Sequence, residues 1–376
     1  MIPYGRQSID DDDISAVVAV LKSDWLTTGP EVEAFEKDVA AAVGARFGVA
    51  VNSGTAALHC AYRAAGLGPG DEVIVPAMTF AATANAALYV GAKPIFCDID
   101  PKTLLIDVAA AERLITAKTR AIVAVDYAGQ PCDYDELRNL CQSKNLKLLA
   151  DGCHALGAQY KGQAVGRLAD YTALSFHPVK HVATGEGGMV ITDDAGGAKV
   201  MKTFRNHGIT TDHRQREAGA TWRYEMAELG YNYRISDILC ALGRSQLRKN
   251  PAWLQRRRGI AERYDTFFRG IDGVKPLTLK PDRVHAYHLY VIRIGAGARV
   301  GRDEAFARLR EAGIGVNVHY IPVHLHPYYR KNLGTAEGLC PRAEEAFDEI
   351  LSLPMYPGLD DQAQGTVLDT LSKVLG

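Results

Sequence analysis

A lysine held on a short loop between an apolar strand end and a glycine-rich turn is placed for covalent chemistry more than for solvation. Lys180 has that setting: Ser175-Phe176-His177-Pro178-Val179 leads into it, and Thr184-Gly185-Glu186-Gly187-Gly188 follows. An amine so placed can form a Schiff base with a carbonyl cofactor. Most loop lysines are solvated surface groups, so a second residue has to decide. That residue is Asp151, in Leu148-Leu149-Ala150-Asp151-Gly152-Cys153-His154-Ala155-Leu156-Gly157. A pyridoxal 5'-phosphate (PLP) enzyme needs a lysine to hold the aldehyde and an acid to keep the pyridinium nitrogen protonated. Each of the two falls at the carboxyl end of a predicted strand, where open α/β sheets bind ligands.

Other residues fit the same chemistry, each with a plainer alternative. Asn52-Ser53-Gly54-Thr55-Ala56 follows an apolar strand and opens a helix. Its small residues suit an anion at a helix N-terminus, or Ser53 or Thr55 simply caps the helix. Ser175 offers a second hydroxyl to a phosphate. Phe80 follows a strand and either stacks on a flat heteroaromatic ring or belongs to the core. His154 either hydrogen-bonds the cofactor or Asp151, or packs. His319, His324 and His326 are interrupted by Pro322 and Pro327 and lack a partnered carboxylate. They read as pocket lining, not as a metal site.

The elements that must position these groups alternate. Short apolar runs at 47–51, 72–75, 94–97, 121–125, 146–150, 172–176 and 189–192 are separated in several places by helix-length segments at 56–65, 81–90 and 134–143. This predicts an α/β domain with a mainly parallel sheet and helices on both faces. The polar stretch 208–224 reads as a loop, either covering an active site or solvated. Two helices are expected at 235–248 and 253–269, broken before Pro251, with Arg256-Arg257-Arg258 a solvated face of the second. A strand over 287–294 and a helix over 302–311 then suggest a smaller C-terminal α/β domain. The expected division is 1–249 for the large cofactor-binding domain and 250–376 for the small one. With 43 basic and 44 acidic residues among 376, no nucleic-acid footprint and no membrane face are expected. The seven cysteines lack paired spacing and read as reduced thiols of a cytoplasmic protein.

Over nearly its full length the chain resembles the DegT-type sugar aminotransferases, PLP-dependent enzymes of the aspartate-aminotransferase fold (PLP fold type I). The likeness rests on the Tyr4 region, Leu26-Thr27-Thr28-Gly29-Pro30, Asn52 to Ala56, Pro76-Ala77-Met78-Thr79-Phe80, Asp151 with His154 to Gly157, Ser175 to Lys180, and Gly185 to Gly188. It continues through Gly230-Tyr231-Asn232-Tyr233-Arg234 and His319-Tyr320 with Pro322. The resemblance implies that Lys180 is the Schiff-base lysine and proton shuttle and that Asp151 binds the pyridine nitrogen. By the same likeness Phe80 stacks on the ring, and Gly54, Thr55 and Ser175 bind the phosphate. His154 stands where many relatives carry Gln and is also assigned to the cofactor. Asn232 resembles an asparagine that reaches the phosphate of the neighbouring subunit, which implies a homodimer with shared active sites. The family's dehydratase branch has histidine in place of the lysine, and Lys180 speaks against it.

Val125-Asp126-Tyr127-Ala128-Gly129 and Asp151 to Gly157 resemble the branch that makes pseudaminic-acid precursors. That likeness implies transfer of the amino group of L-glutamate to carbon 4 of a UDP-linked 4-keto-6-deoxy-N-acetylhexosamine, giving UDP-4-amino-4,6-dideoxy-N-acetyl-β-L-altrosamine. It further implies a nucleotide-sugar pocket of Tyr4, Trp25, Leu26, Thr27, Tyr320 and His324. The alternative is another nucleotide 4-keto or 3-keto sugar, as in bacillosamine or dTDP-sugar pathways.

Overall fold

A computed structural model describes residues 1–211 and 213–376. Thirteen strands follow one another in this described chain. They are β1 (Phe47–Val51), β2 (Glu72–Pro76), β3 (Lys93–Cys97), β4 (Thr119–Val125), β5 (Lys147–Asp151), β6 (Gln159–Tyr160), β7 (Gln163–Ala164), β8 (Tyr171–Ser175), β9 (Gly188–Thr192), β10 (Val274–Pro276), β11 (Arg283–Val284), β12 (Tyr290–Ile294) and β13 (Ile350–Leu353). Seven of them make the central sheet in the order β1-β9-β8-β5-β4-β2-β3, and only β9 runs against its neighbours. The strands are β-branched and apolar along most of their length, as expected where helices cover both faces of a sheet. This is the mixed α/β architecture expected from the alternation of elements.

The reversed strand β9 matters for the site. Gly188 opens it and pairs with Val51 at the end of β1 and with Ser175 at the end of β8. A side chain at Gly188 would meet the Ser53 carbonyl oxygen at 2.3 Å and the Gly54 nitrogen at 2.8 Å. Glycine there lets three strand ends and one helix start converge on a single point.

A second sheet, β10-β12-β13, packs with the helices Arg302–Glu311 and Asp361–Leu375 around a separate apolar core that includes Ile292, Leu309, Leu351 and Leu371. The junction differs from expectation. One continuous helix, Asp237–Phe268, replaces the two predicted, and Pro251 lies inside it. An internal proline removes a backbone hydrogen bond and disfavours a helix by roughly 3 kcal/mol. Burial on both sides of it offsets this: Gln246 and Asn250 before, Leu254, Arg257, Ile260 and Tyr264 after. Ile260, Ala261, Tyr264 and Phe268 belong to the second core, so this helix carries the chain from one core to the other. The chain start also joins the second unit, through Ile2 N–H to Gly313 O (2.9 Å) and Gly315 N–H to Ile2 O (2.6 Å).

Arg257 is not on a solvated face. It is buried, and its Nη1 donates to the carbonyls of Met355 (2.9 Å) and Tyr287 (3.0 Å). Within the stretch read as a loop, His213–Ala218 forms a short helix, and Asp212 lies outside the described residues.

Candidate active site

Asp151 ends β5 and is almost fully buried, so its carboxylate needs donors. Thr83 Oγ1 donates to Oδ2 at 2.6 Å and the Cys153 N–H to Oδ1 at 3.2 Å. Thr79 bonds the Thr83 hydroxyl in turn, at 2.7 Å. The carboxylate is thus fixed at the floor of a cavity of about 390 Å³ whose lining includes Tyr4, Ser53, Gly54, Thr55, Thr79, Phe80, Asp151, His154, Ser175, Lys180, His288 and Tyr320.

Lys180 reaches the same cavity from the loop after β8, in a turn closed by its own N–H to the His177 carbonyl (2.8 Å). Neighbours pack it closely while part of its surface still opens into the cavity, so the amine is desolvated but reachable. Burial lowers its pKa, against an opposing pull from Cys153 and Asp151. A depressed lysine pKa beside a carboxylate is the state a nucleophilic amine requires.

At the other wall, Ser53 caps the helix Gly54–Ala64, its Oγ accepting from the Ala56 N–H at 3.1 Å. The capping and the anion-binding readings of this segment are therefore compatible. Ser53 serves the cap, while the first-turn N–H groups of Gly54 and Thr55 have no intrahelical partner and face the cavity end of the sheet. Gly54 is needed for close approach, because a side chain there would stand 2.9 Å from Ser175 Cβ. Ser175 and the helix start thus form one small, anion-sized corner.

His154 is buried, with Nε2 3.1 Å from the Tyr320 hydroxyl and Nδ1 without a partner among the described residues. Burial, then the nearby Lys180, holds its pKa well below the usual imidazole range, so the ring is neutral. Phe80, more than half exposed, tilts against Tyr320 at a ring separation of 5.8 Å. Flat aromatic walls, an acid at the floor, an amine at the side and an anion corner fit PLP group by group.

The predicted substrate residues divide. Tyr4 and Tyr320 line the cavity. His324 does not: it is fully buried, bonded to Glu344 at 2.8 Å and tilted against Phe96. Packing under the helix Pro341–Glu349 takes it away from Lys180. Trp25, Leu26 and Thr27 also lie off this cavity; Leu26 O accepts from the Asp237 N–H, and Thr27 bridges to Ser236. Asn232 is exposed, outside the cavity of its own chain. His319 and His324 turn to separate partners, Ser352 and Glu344, and no three metal-ligating side chains gather among the described residues. Asp126 is buried beneath the site, accepting from the Cys132 N–H and the Tyr134 hydroxyl. Among the residues of the site that escaped the sequence reading are Thr83 and His288. Thr83 carries no local signal, whereas His288, just before β12 in His285-Ala286-Tyr287-His288, could have been suspected from its place at a strand start.

The sheet topology and this cavity define a fold-type-I PLP site. The DegT/DnrJ/EryC1/StrS aminotransferase family model matches residues 7–372, and the chain belongs to that family. It is a PLP-dependent sugar aminotransferase. Among its relatives, the spore coat polysaccharide biosynthesis protein SpsC of Bacillus subtilis is 41% identical, the match covering 100% of this chain and 97% of SpsC. Among solved structures, Spr1654 of Streptococcus pneumoniae, assigned as a sugar aminotransferase and seen in its PMP form, superposes with a TM-score of 0.94 at 34% identity, covering 100% of this chain and 99% of its own. PseC of Helicobacter pylori, an aminotransferase of pseudaminic acid biosynthesis, gives 0.92 at 32% identity, covering 99% and 98%. No described helix is long and apolar enough to cross a membrane.

Proposed function

We propose that the enzyme transfers the amino group of L-glutamate to carbon 4 of a UDP-linked 4-keto-6-deoxy-N-acetylhexosamine, forming the 4-amino sugar that precedes pseudaminic acid. The observation that carries the reaction is the convergence of Lys180, Asp151 and the Gly54–Ser175 corner on one cavity. When bound, PLP supplies an electron sink for charge developing at the donor's α-carbon and at sugar carbon 4. Lys180 holds the cofactor's aldehyde. With the cofactor bound, its Nζ would take the α-proton of glutamate in the first half-reaction and deliver a proton to sugar carbon 4 in the second. Asp151 keeps the pyridine nitrogen protonated, and Thr83 keeps Asp151 in place. Gly54, Thr55 and Ser175 hold the phosphate, with Phe80 and His154 against the ring. Tyr4 and Tyr320 flank the approach of the sugar. The reaction is assigned to the cytoplasm, in keeping with seven unbridged cysteines, six of them buried.

The likeness to PseC supports the choice of acceptor, as does the pair Tyr4 and Tyr320. SpsC, more similar in sequence than PseC, favours a second reading: a different nucleotide 4-keto sugar feeding a surface polysaccharide. The test compares specificity constants for UDP-linked 4-keto sugars of L-arabino and D-xylo configuration with glutamate present. The L-arabino isomer should be preferred, by about 10–200-fold if apolar fit alone discriminates and by more if a buried polar group is left unpaired. Preference for the D-xylo isomer overturns the substrate assignment and leaves the transaminase standing.

Asn232 completes the phosphate site of a second copy in this reading. Its exposure on its own chain suits that role. Lys180→Ala and Asn232→Ala proteins, each inactive, should recover about a quarter of wild-type activity after random subunit exchange. Half the assemblies are then mixed, and each mixed dimer has one intact site of two. No recovery after proven exchange assigns Asn232 to its own subunit.

A further inference from the structure

His288 enters the cavity from the second sheet's side of the molecule, two residues before β12, and stands against the amine of Lys180: Nε2 to Nζ is 3.4 Å. Its seating is unusually well defined. The Ala286 and Leu289 N–H groups donate to the carbonyls of Gly129 (2.9 Å) and Ala128 (3.2 Å). Gly129 has φ +106°, and a side chain there would lie 3.1 Å from the His288 nitrogen and 2.8 Å from the His154 carbonyl oxygen. On the other side, buried Arg257 holds the carbonyl of Tyr287. The His154 ring lies 4.3 Å away, centroid to centroid. The backbone on each side of His288 is thus gripped by a different part of the protein, and the imidazole points at the one side chain that moves protons.

We infer that His288 is the positioning residue that orients the free Lys180 amine between its two proton transfers, accepting a hydrogen bond from the ammonium through Nε2. This rests on the reading of Lys180 as the cofactor-bearing lysine. An ammonium group only donates, so Nε2 must be the accepting nitrogen. With the cofactor bound, the α-proton would go from the substrate carbon to Nζ and from Nζ to the cofactor's exocyclic carbon. His288 takes no net proton. The charged and titratable groups around it are Lys180 and His181 from the loop after β8, His154 from the loop after β5, and Arg257 from the long helix. Burial first, then the positive charge of Lys180, holds the imidazole pKa well below its usual range, so the ring is neutral and available as an acceptor. The second domain thereby supplies a group to the reacting amine, which ties its seating to the rate of proton transfer.

The test uses His288→Phe, which removes the acceptor, and His288→Gln, which keeps one. Each full-length protein is loaded with pyridoxamine phosphate, so that the Lys180 amine is free. Trace acetylation across a pH series, read by peptide mass spectrometry, gives the titration midpoint of Lys180. A hydrogen bond to the charged form favours that form. The midpoint should therefore fall by about one unit in the Phe protein and stay near wild type in the Gln protein. In the PLP-loaded forms of the same proteins, the glutamate half-reaction should slow by about tenfold or more in Phe and much less in Gln, with KM little changed. An unchanged midpoint in Phe, or equal falls in Phe and Gln, overturns the inference. If the Phe protein does not fold, His288→Met takes its place in the same comparison. Borohydride treatment of the PLP-loaded forms separates the two readings. A pyridoxyl group on a lysine other than Lys180 sinks the underlying assignment, whereas the midpoints test the Lys180–His288 contact directly.

Discussion

Lys180→Ala should fold and still admit PLP while losing transamination by about 10⁴-fold, the upper range for a positioned proton-transfer group. No neighbour can substitute. His154 and His288 are held in place, one by Tyr320 and the other by its backbone contacts with Ala128, Gly129 and Arg257, and burial makes each a much weaker base than an ordinary imidazole. Cys153 is a thiol whose pKa burial drives far upward, so it offers no proton acceptor at neutral pH. The loss should appear in both half-reactions, because the same nitrogen serves each. Circular dichroism and a thermal melt close to wild type would place the defect in chemistry. Retention of activity within tenfold would mean that another amine does this work.

Asp151→Asn carries the second-largest expected effect, roughly 10²–10³-fold in kcat with cofactor retained, in line with the loss of one preorganised electrostatic partner. The substitution is nearly isosteric. An amide oxygen can still accept from the Cys153 N–H, and the Thr83 hydroxyl can reverse to accept from the amide nitrogen, because Thr79 is within reach to receive or give the remaining bond. What an amide cannot do is stabilise a protonated ring nitrogen. The defect should therefore fall on kcat far more than on KM for glutamate or on cofactor affinity. Activity within a few-fold of wild type would reduce Asp151 to a structural residue at a strand end.

The parts of this site that were legible in the sequence are those with local causes. Strand ends show because an apolar run stops at a polar residue. Asp151 closes β5 and Ser175 closes β8 for that reason, and Phe47–Val51 is a strand in both readings. The glycines of 185–188 read as a turn, and the structure shows that Gly188 also admits the start of the helix Gly54–Ala64 against β9. What stayed hidden depends on distance along the chain. Thr83 meets Asp151 from 68 positions away and His288 meets Lys180 from 108, and neither has a pattern that names its partner. The helix Asp237–Phe268 runs through Pro251 because tertiary burial outweighs a local preference that the sequence displays openly. His324 went astray for a related reason. A histidine beside a pocket motif reads as lining until Glu344, twenty residues on, is seen to claim it.

The most direct measurement concerns where the cofactor is attached. PLP-loaded enzyme is reduced with borohydride, digested, and its peptides sequenced by mass spectrometry. The account predicts one pyridoxyl group per chain, on the peptide carrying His177-Pro178-Val179-Lys180. A stoichiometric label on any other lysine, with Lys180 unmodified, would contradict it.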